Sequence, residues 1–198
     1  MVEFQNSVTK ENLMRAFAGE SQARNRYTFA ASAAKKANLH VVEQAFLFTA
    51  GQEKEHAEIF YNFLKPVAGE TITVDGGYPV DLADDVATLL RMAEHNEYEE
   101  AVSVYVGFAQ VARSEGFENI ALAFEQIAKI EKTHGERFAR LAQLMESGEL
   151  FDSKGQETVW MCLNCGHIHN GPKPPMVCPV CHHDQGYFIR WTMAPFGE

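Results

Sequence analysis

Cysteine is absent from the chain until residue 162, and all four cysteines fall between 162 and 181. A disulfide framework for the main body is therefore excluded, and thiols confined to one short stretch fit a metal site in a reducing compartment. Cationic surface is also scarce. Lys and Arg number 17 against 27 Asp and Glu, a formal net charge of -10 with no basic stripe to relieve it, which argues against binding a phosphate backbone. No uninterrupted apolar run is long enough to span a bilayer, and the first residues lack a basic segment leading into an apolar one. The expectation is a soluble, cytoplasmic protein with no nucleic-acid and no membrane partner. With 198 residues and 46% hydrophobic content, there is room for one sizeable core and a small module.

No proline interrupts Thr9 to Ala37, where Leu13, Phe17, Ala23, Tyr27 and Ala31 recur at helical spacing, and Asn38 marks a stop. A second helix carries Val42, Phe46, Thr49, Phe60 and Phe63 on one stripe and is closed by Pro66, so the two form an antiparallel hairpin. Lys65 to Pro79 holds two prolines, Gly69 and the Gly76-Gly77 pair without helical pattern. At about 3.3 Å per residue it reaches ~50 Å, enough to run the length of a neighbouring helix. A third helix starts near Asp81 to Asp85, carries Val86, Leu90, Ala93, Val104, Phe108 and Val111 inward, and ends at Gly116. The fourth runs from about Phe117 to Met145 with Ile120, Phe124, Ile127, Phe138 and Leu141 inward, and stops at Gly148. The expected fold is mainly α: a ferritin-like four-helix bundle with a long crossover between the second and third helices, over residues 1–150. A small module of short strands follows in residues 156–198, with Thr158-Val-Trp-Met and Tyr187-Phe-Ile-Arg-Trp flanking a Gly/Pro/Cys/His-rich centre.

Carboxylates stand on the apolar stripes where apolar residues belong. Glu20 lies between Phe17 and Tyr27, Glu53 and His56 between Thr49 and Phe60, and Glu131 and His134 between Ile127 and Phe138. Residues i and i+3 share a helix face, so each Glu-x-x-His directs a carboxylate and an imidazole to one point. On the third helix Glu94, Glu97, Glu99 and Glu100 compete, and Glu97 lies closest to the centre of the stripe. Spacing agrees: Glu20 to Glu53 is 33 residues and Glu97 to Glu131 is 34, whereas Glu94 would give 37. Each hairpin then gives one lone Glu and one Glu-x-x-His, the ligand recipe of di-iron and di-manganese carboxylate bundles. Burying several carboxylates without a counter-charge is costly, and oxygen and nitrogen donors suit Fe or Mn. Glu100, one turn beyond Glu97, offers a further carboxylate. Tyr27 and Tyr105 follow Glu20 and Glu97 by seven and eight residues. They are placed to hydrogen-bond a ligand or substrate, or to serve as core tyrosines with a buried partner. His40 and His95 fall off the stripes and are assigned to the surface.

Cys162-Leu-Asn-Cys165 and Cys178-Pro-Val-Cys181 are two Cys-x-x-Cys knuckles. Four thiolates in tetrahedral array suit iron or zinc, and ligand type alone does not separate the two. A one-electron iron site beside a two-metal redox centre makes an electron path, whereas zinc would brace the fold.

Over nearly its whole length the chain resembles the rubrerythrin family. The resemblance rests on Glu20, Glu53-x-x-His56, Glu97-x-x-Glu100, Tyr105 with Gly107-Phe108-Ala109, Glu131-x-x-His134, Trp160-x-Cys162-x-x-Cys165-Gly166 and Cys178-Pro179-x-Cys181. It implies a ferritin-like di-iron bundle with a C-terminal rubredoxin-like module, in which four cysteines hold one mononuclear iron. It implies a non-haem peroxidase reducing hydrogen peroxide to water in oxidative-stress defence, with electrons passed from a donor redox protein through the thiolate-bound iron. It further implies exchange of His56 for Glu100 on one iron and a head-to-tail homodimer. One departure is His182 after Cys181, where rubredoxins carry Gly. The alternative from another class is a ferroxidase or iron-storage bundle with a structural zinc ribbon.

Overall fold

A computed structural model describes residues 2–195. Val8–Lys36 forms α1, its first turn capped by the Ser7 hydroxyl accepting from the Lys10 N–H at 3.0 Å. A short turn through Asn38, held at a left-handed φ of 56°, reverses the chain into α2, His40–Phe63. The crossover then travels without helix or strand from beyond Val67 to Asp85. It is pinned to α1 by an Arg15–Asp75 ion pair at 2.9 Å and by the Tyr78 hydroxyl donating to the Arg15 carbonyl at 3.3 Å. The Asp85 carboxylate caps α3, Val86–Glu99, by accepting from the Thr88 N–H at 2.8 Å.

The third long helix is not regular. Glu100–Val104 is a π-helical turn, and α-geometry resumes as α4, Tyr105–Glu115, which ends at Gly116 with φ 94°, a conformation that glycine adopts without steric cost. The expected inward placement of Val104, Phe108 and Val111 is corrected here. Val104 is exposed and the other two are only partly buried, while Tyr105, Ala109 and Ala112 are buried. A π turn adds one residue to the helix, so every later inward position moves one place along the sequence. The same single residue accounts for Tyr105 following Glu97 by eight where Tyr27 follows Glu20 by seven.

α5, Glu118–Glu146, completes the bundle, packing along α3 and α4 as α2 packs along α1. The core divides into two apolar clusters. One gathers Tyr27, Val42, Phe46, Leu90, Phe138 and Leu141; the other gathers Leu13, Phe60, Tyr105, Ile120, Phe124 and Ile127. Between them, at mid-height on all four long helices, lies a layer of buried carboxylates and imidazoles.

Three strands follow, β1 (Thr158–Cys162), β2 (Ile168–Gly171) and β3 (Phe188–Arg190), in an antiparallel sheet of order β2-β1-β3. Trp160 on the central strand is fully buried and donates from Nε1 to the Gly171 carbonyl at 2.9 Å. The module sits against the α1–α2 turn. A Cβ at Gly186 would lie 1.9 Å from the Asn38 carbonyl oxygen, so only glycine permits this approach. Beside it the rings of His40 and Tyr187 stack at 4.0 Å, and Arg190 Nη2 donates to the Glu149 carbonyl at 2.6 Å. His40 is therefore buried, with Nδ1 2.8 Å from Glu43 Oε2, which corrects its assignment to the surface. Helical phasing within the bundle cannot register a face that another module covers. His95 is exposed, as expected. Among the described residues, no helix is long and apolar enough to cross a membrane.

Candidate metal centres

Six side chains meet in the polar layer: Glu20 from α1, Glu53 and His56 from α2, Glu97 from α3, Glu131 and His134 from α5, each no more than 5% exposed. They form two groups whose ligand atoms lie within 4.8 Å of one another, Glu20–Glu53–His56–Glu131 and Glu53–Glu97–Glu131–His134. Glu53 and Glu131 belong to both. The geometry is nearly two-fold: His56 Nδ1 stands 3.1 Å from Glu53 Oε2, 2.9 Å from Glu131 Oε1 and 3.9 Å from Glu20 Oε1. His134 Nδ1 stands 3.0 Å from Glu53 Oε1, 2.8 Å from Glu131 Oε2 and 3.6 Å from Glu97 Oε2. The rings are 5.7 Å apart and 17° from parallel. Despite these distances, both Glu131 oxygens and both His134 ring nitrogens lack a hydrogen-bond partner, as do Glu53 Oε1, Glu20 Oε2 and Glu97 Oε2. Oxygens and nitrogens that converge with so many bonds unmade, in a layer closed by apolar clusters on both sides, fit a pair of cations that satisfies them together.

Charge in this layer is badly out of balance without such cations. Burial first, then the charges of Glu131 and Glu53, pushes the Glu20 carboxyl well above the ordinary range, and burial and Glu53 do the same to Glu97. Burial also opposes the charge on Glu53, but the imidazoles of His134 and His56 beside it bring it down to about 2. The imidazoles move the other way. Against the effect of burial, Glu131 and Glu53 raise His56 to about 9 and His134 to about 12. Protons thus act as counter-ions at neutral pH in the metal-free protein, and a metal must displace them. Loading Fe(II) or Co(II) near pH 7 is expected to release protons, and apparent affinity to fall as pH is lowered. A pH-indicator titration in weak buffer checks this; loading without proton release would show that the imidazoles are already neutral.

The competing carboxylates of the third helix are separated by the fold. Glu97 is buried in the layer, Glu99 is exposed, and Glu94 pairs with Arg91 at 2.6 Å. Glu100 lies outside both converging groups, half-buried at the start of the π turn. Burial and then Glu97 raise its carboxyl well above the ordinary range. It faces a cavity of about 340 Å³ between α1, the π turn and the crossover, whose wall also includes Tyr105, Tyr78, Asn96 and Arg26. A larger groove of about 640 Å³, between Phe48, Arg137 and the cysteine module, contains none of the carboxylates, so the smaller cavity is the one that adjoins the chemistry. The tyrosines cross over: Tyr27 of the first hairpin donates to Glu97 Oε1 of the second, and Tyr105 of the second donates to Glu20 Oε1 of the first. Each lone Glu is therefore oriented by the opposite hairpin. Arg26 carries no sequence signal, since one Arg on a helix ordinarily faces water; only the crossover laid over it brings it to the cavity.

In the small module all four cysteine sulfurs lie within 4.8 Å of one another. Cys162 to Cys181 and Cys165 to Cys178 are both 3.7 Å, far beyond the ~2.05 Å of a disulfide bond. The knuckles match: Gly166 N–H donates to the Cys162 carbonyl at 2.8 Å, and His182 N–H to the Cys178 carbonyl at 3.0 Å. The backbone N–H of His183 is the main cause lowering Cys181 to about 5, while burial pushes Cys162 up to about 12. Gly166 has φ 76° and His182 φ 60°, so a side chain occupies a left-handed position that glycine holds in the first knuckle. The His182 side chain is exposed. His182→Gly is therefore expected to stabilise the module by about 0.5–1 kcal/mol, seen as a higher denaturant midpoint; a lower midpoint would show that the imidazole makes a compensating contact.

Comparison with known proteins agrees with this geometry. The family model described as rubrerythrin matches residues 11–142, and the one described as the rubrerythrin rubredoxin-like domain matches residues 160–189. The chain is 44% identical to the rubrerythrin of Clostridium perfringens over 189 residues, covering 95% of this chain and 96% of that one. It is 40% identical to the rubrerythrin of Nitratidesulfovibrio vulgaris over 198 residues, covering 96% and 100%. Among solved structures, a partially reduced nigerythrin superposes with TM-score 0.61 at 26% identity over 92% of this chain and 86% of that one. A bacterioferritin from Desulfovibrio desulfuricans shares the bundle fold alone, with TM-score 0.63 at 22% identity over 71% of this chain and 81% of that one. Both modules and nearly the full span of these relatives are matched, and the chain belongs to the rubrerythrin family.

Proposed function

We propose that this oxidoreductase is a peroxidase: hydrogen peroxide, two electrons and two protons give two waters, with the electrons entering through the four-cysteine site. The observation that carries the proposal is the pair of converging groups sharing Glu53 and Glu131, in the same chain as a four-sulfur site suited to one-electron transfer. The residues that would hold the two irons are Glu20, Glu53, His56, Glu97, Glu131 and His134, with Glu100 at hand, and Cys162, Cys165, Cys178 and Cys181 would hold the third. When bound, the iron pair supplies the two electrons that cleave the O–O bond, and the four-sulfur iron restores them singly.

The protein's own contribution is orientation and exclusion. Apolar clusters above and below the layer keep bulk water out, and access lies along the cavity bounded by Glu100 and Tyr105. Tyr27 and Tyr105 hold the lone carboxylates in place. We assign the protein to the cytoplasm, where thiols stay reduced, with a donor redox protein as partner and a role in oxidative-stress defence. A head-to-tail homodimer, in which one copy's cysteine module approaches the other's bundle, completes the reading.

Anaerobic reduction followed by stoichiometric peroxide is the test. Fast reoxidation of both the bundle and the cysteine site supports the proposal. A reduced protein that ignores peroxide, consumes oxygen and takes up excess iron would overturn it in favour of iron storage.

A further inference from the structure

Two oppositely charged side chains face the 340 Å³ cavity without adequate partners. Arg26 comes from α1, and its side chain is only 11% exposed. Its one ionic contact is loose: Nη1 stands 3.5 Å from Asp81 Oδ2, an oxygen that already accepts from Asn96 Nδ2 at 2.7 Å. Arg26 Nε and Nη1 are buried without a hydrogen-bond partner among the described residues. Unmade hydrogen bonds on a buried charged donor are expensive, and a guanidinium N–H is a strong charge-assisted donor to a carboxylate. Of the other carboxylates around the cavity, Asp81 is engaged by Asn96 and Glu99 is exposed. Glu100 remains, half-buried on the same wall, with no side-chain hydrogen bond or ion pair among the described residues.

We propose that Arg26 is a positioning residue for Glu100: the unbonded Nε–H of its guanidinium receives the Glu100 carboxylate and holds it outside the six converging ligands, setting how readily Glu100 joins a bound metal. The inference rests on the two-metal reading of the layer and not on peroxide being the substrate. Rotation of the Glu100 side chain is the movement that would carry the carboxylate between the two stations. Asp81, on the crossover, keeps the guanidinium from turning outward.

The test is a double-mutant cycle on the iron-loaded protein, Arg26→Gln and Glu100→Gln singly and together, read by the midpoint potential of the bundle irons. Arg26→Gln is expected to lower the potential, because a carboxylate no longer drawn away favours the oxidised metals. In the Glu100→Gln background the same substitution is expected to have little effect. Arg26→Lys, which keeps the charge but loses the planar fork, should fall between Arg26→Gln and the unaltered protein. An equal shift in both backgrounds overturns the proposal, since it would mean a charge acting through space, and so does no shift in either.

A crystal structure of the chemically reduced holoprotein gives a check that needs no variant to fold. Glu100 within hydrogen-bond distance of Arg26 Nε or Nη1 supports the proposal. Glu100 away from Arg26 in both reduced and oxidised crystals overturns it. Metal analysis separates the levels: iron missing from the bundle overturns the site reading together with this inference, whereas failure to react with peroxide touches only the proposed activity.

Discussion

Glu131→Ala is expected to empty both metal positions of the bundle at once. Its two oxygens stand 2.9 Å from one imidazole and 2.8 Å from the other and belong to both converging groups, so no single-metal site survives intact without them. Iron content should fall from about three per chain to about one, the remainder being held by the four cysteines. Glu20→Ala offers the contrast, because it leaves the Glu53–Glu97–Glu131–His134 group complete and should cost one iron rather than two. Metal analysis of the purified variants decides the matter. Full retention of bundle iron in Glu131→Ala would mean that the shared carboxylate does not bridge. The variant should still fold without metal, since it removes one of several buried carboxylates whose desolvation opposes folding.

The second large effect is expected at Gly186→Ala. The added carbon would lie 1.9 Å from a backbone oxygen of the α1–α2 turn and 2.8 Å from Asp184 Oδ1, and the backbone oxygen cannot be moved by a side-chain rotation. The cysteine module must lift away from the bundle, breaking the His40–Tyr187 stack and uncovering His40. The loss should exceed the roughly 1–3 kcal/mol of ordinary overpacking. Its signature is cleavage between 147 and 157 by dilute protease together with faster amide exchange around His40, while the module keeps its metal. Unchanged protection at both places would show that the two backbones can separate without undocking. Since the proposed electron route runs through this module, reoxidation of the cysteine site by peroxide should slow as well.

Much of the site is legible in the chain because helical periodicity is local. Glu20, Glu53, His56, Glu97, Glu131 and His134 stand out by occupying positions that the stripe reserves for apolar residues, and all six are buried in one layer. The four cysteines stand out by spacing, and they do converge. Glu100 is the partial case. Spacing places it beside Glu97, but the structure holds it outside both groups, at the residue where the helix widens into a π turn. The extra residue is visible as 34 against 33 and eight against seven, yet a count does not say where the helix absorbs it.

Legible in the chain alone are therefore the six carboxylates and imidazoles that converge, the four long helices with their crossover, and the separate cysteine module. Each depends on residue type and on spacing within one element. Tertiary structure alone decided the pairing of each tyrosine with the opposite hairpin's carboxylate, the burial of His40 under the cysteine module, and the placing of Arg26 with Glu100 on one cavity. The physical reason is common to all three. Each brings together residues from elements distant in the chain, and periodicity fixes which face of a helix a residue occupies without fixing what comes to lie against that face.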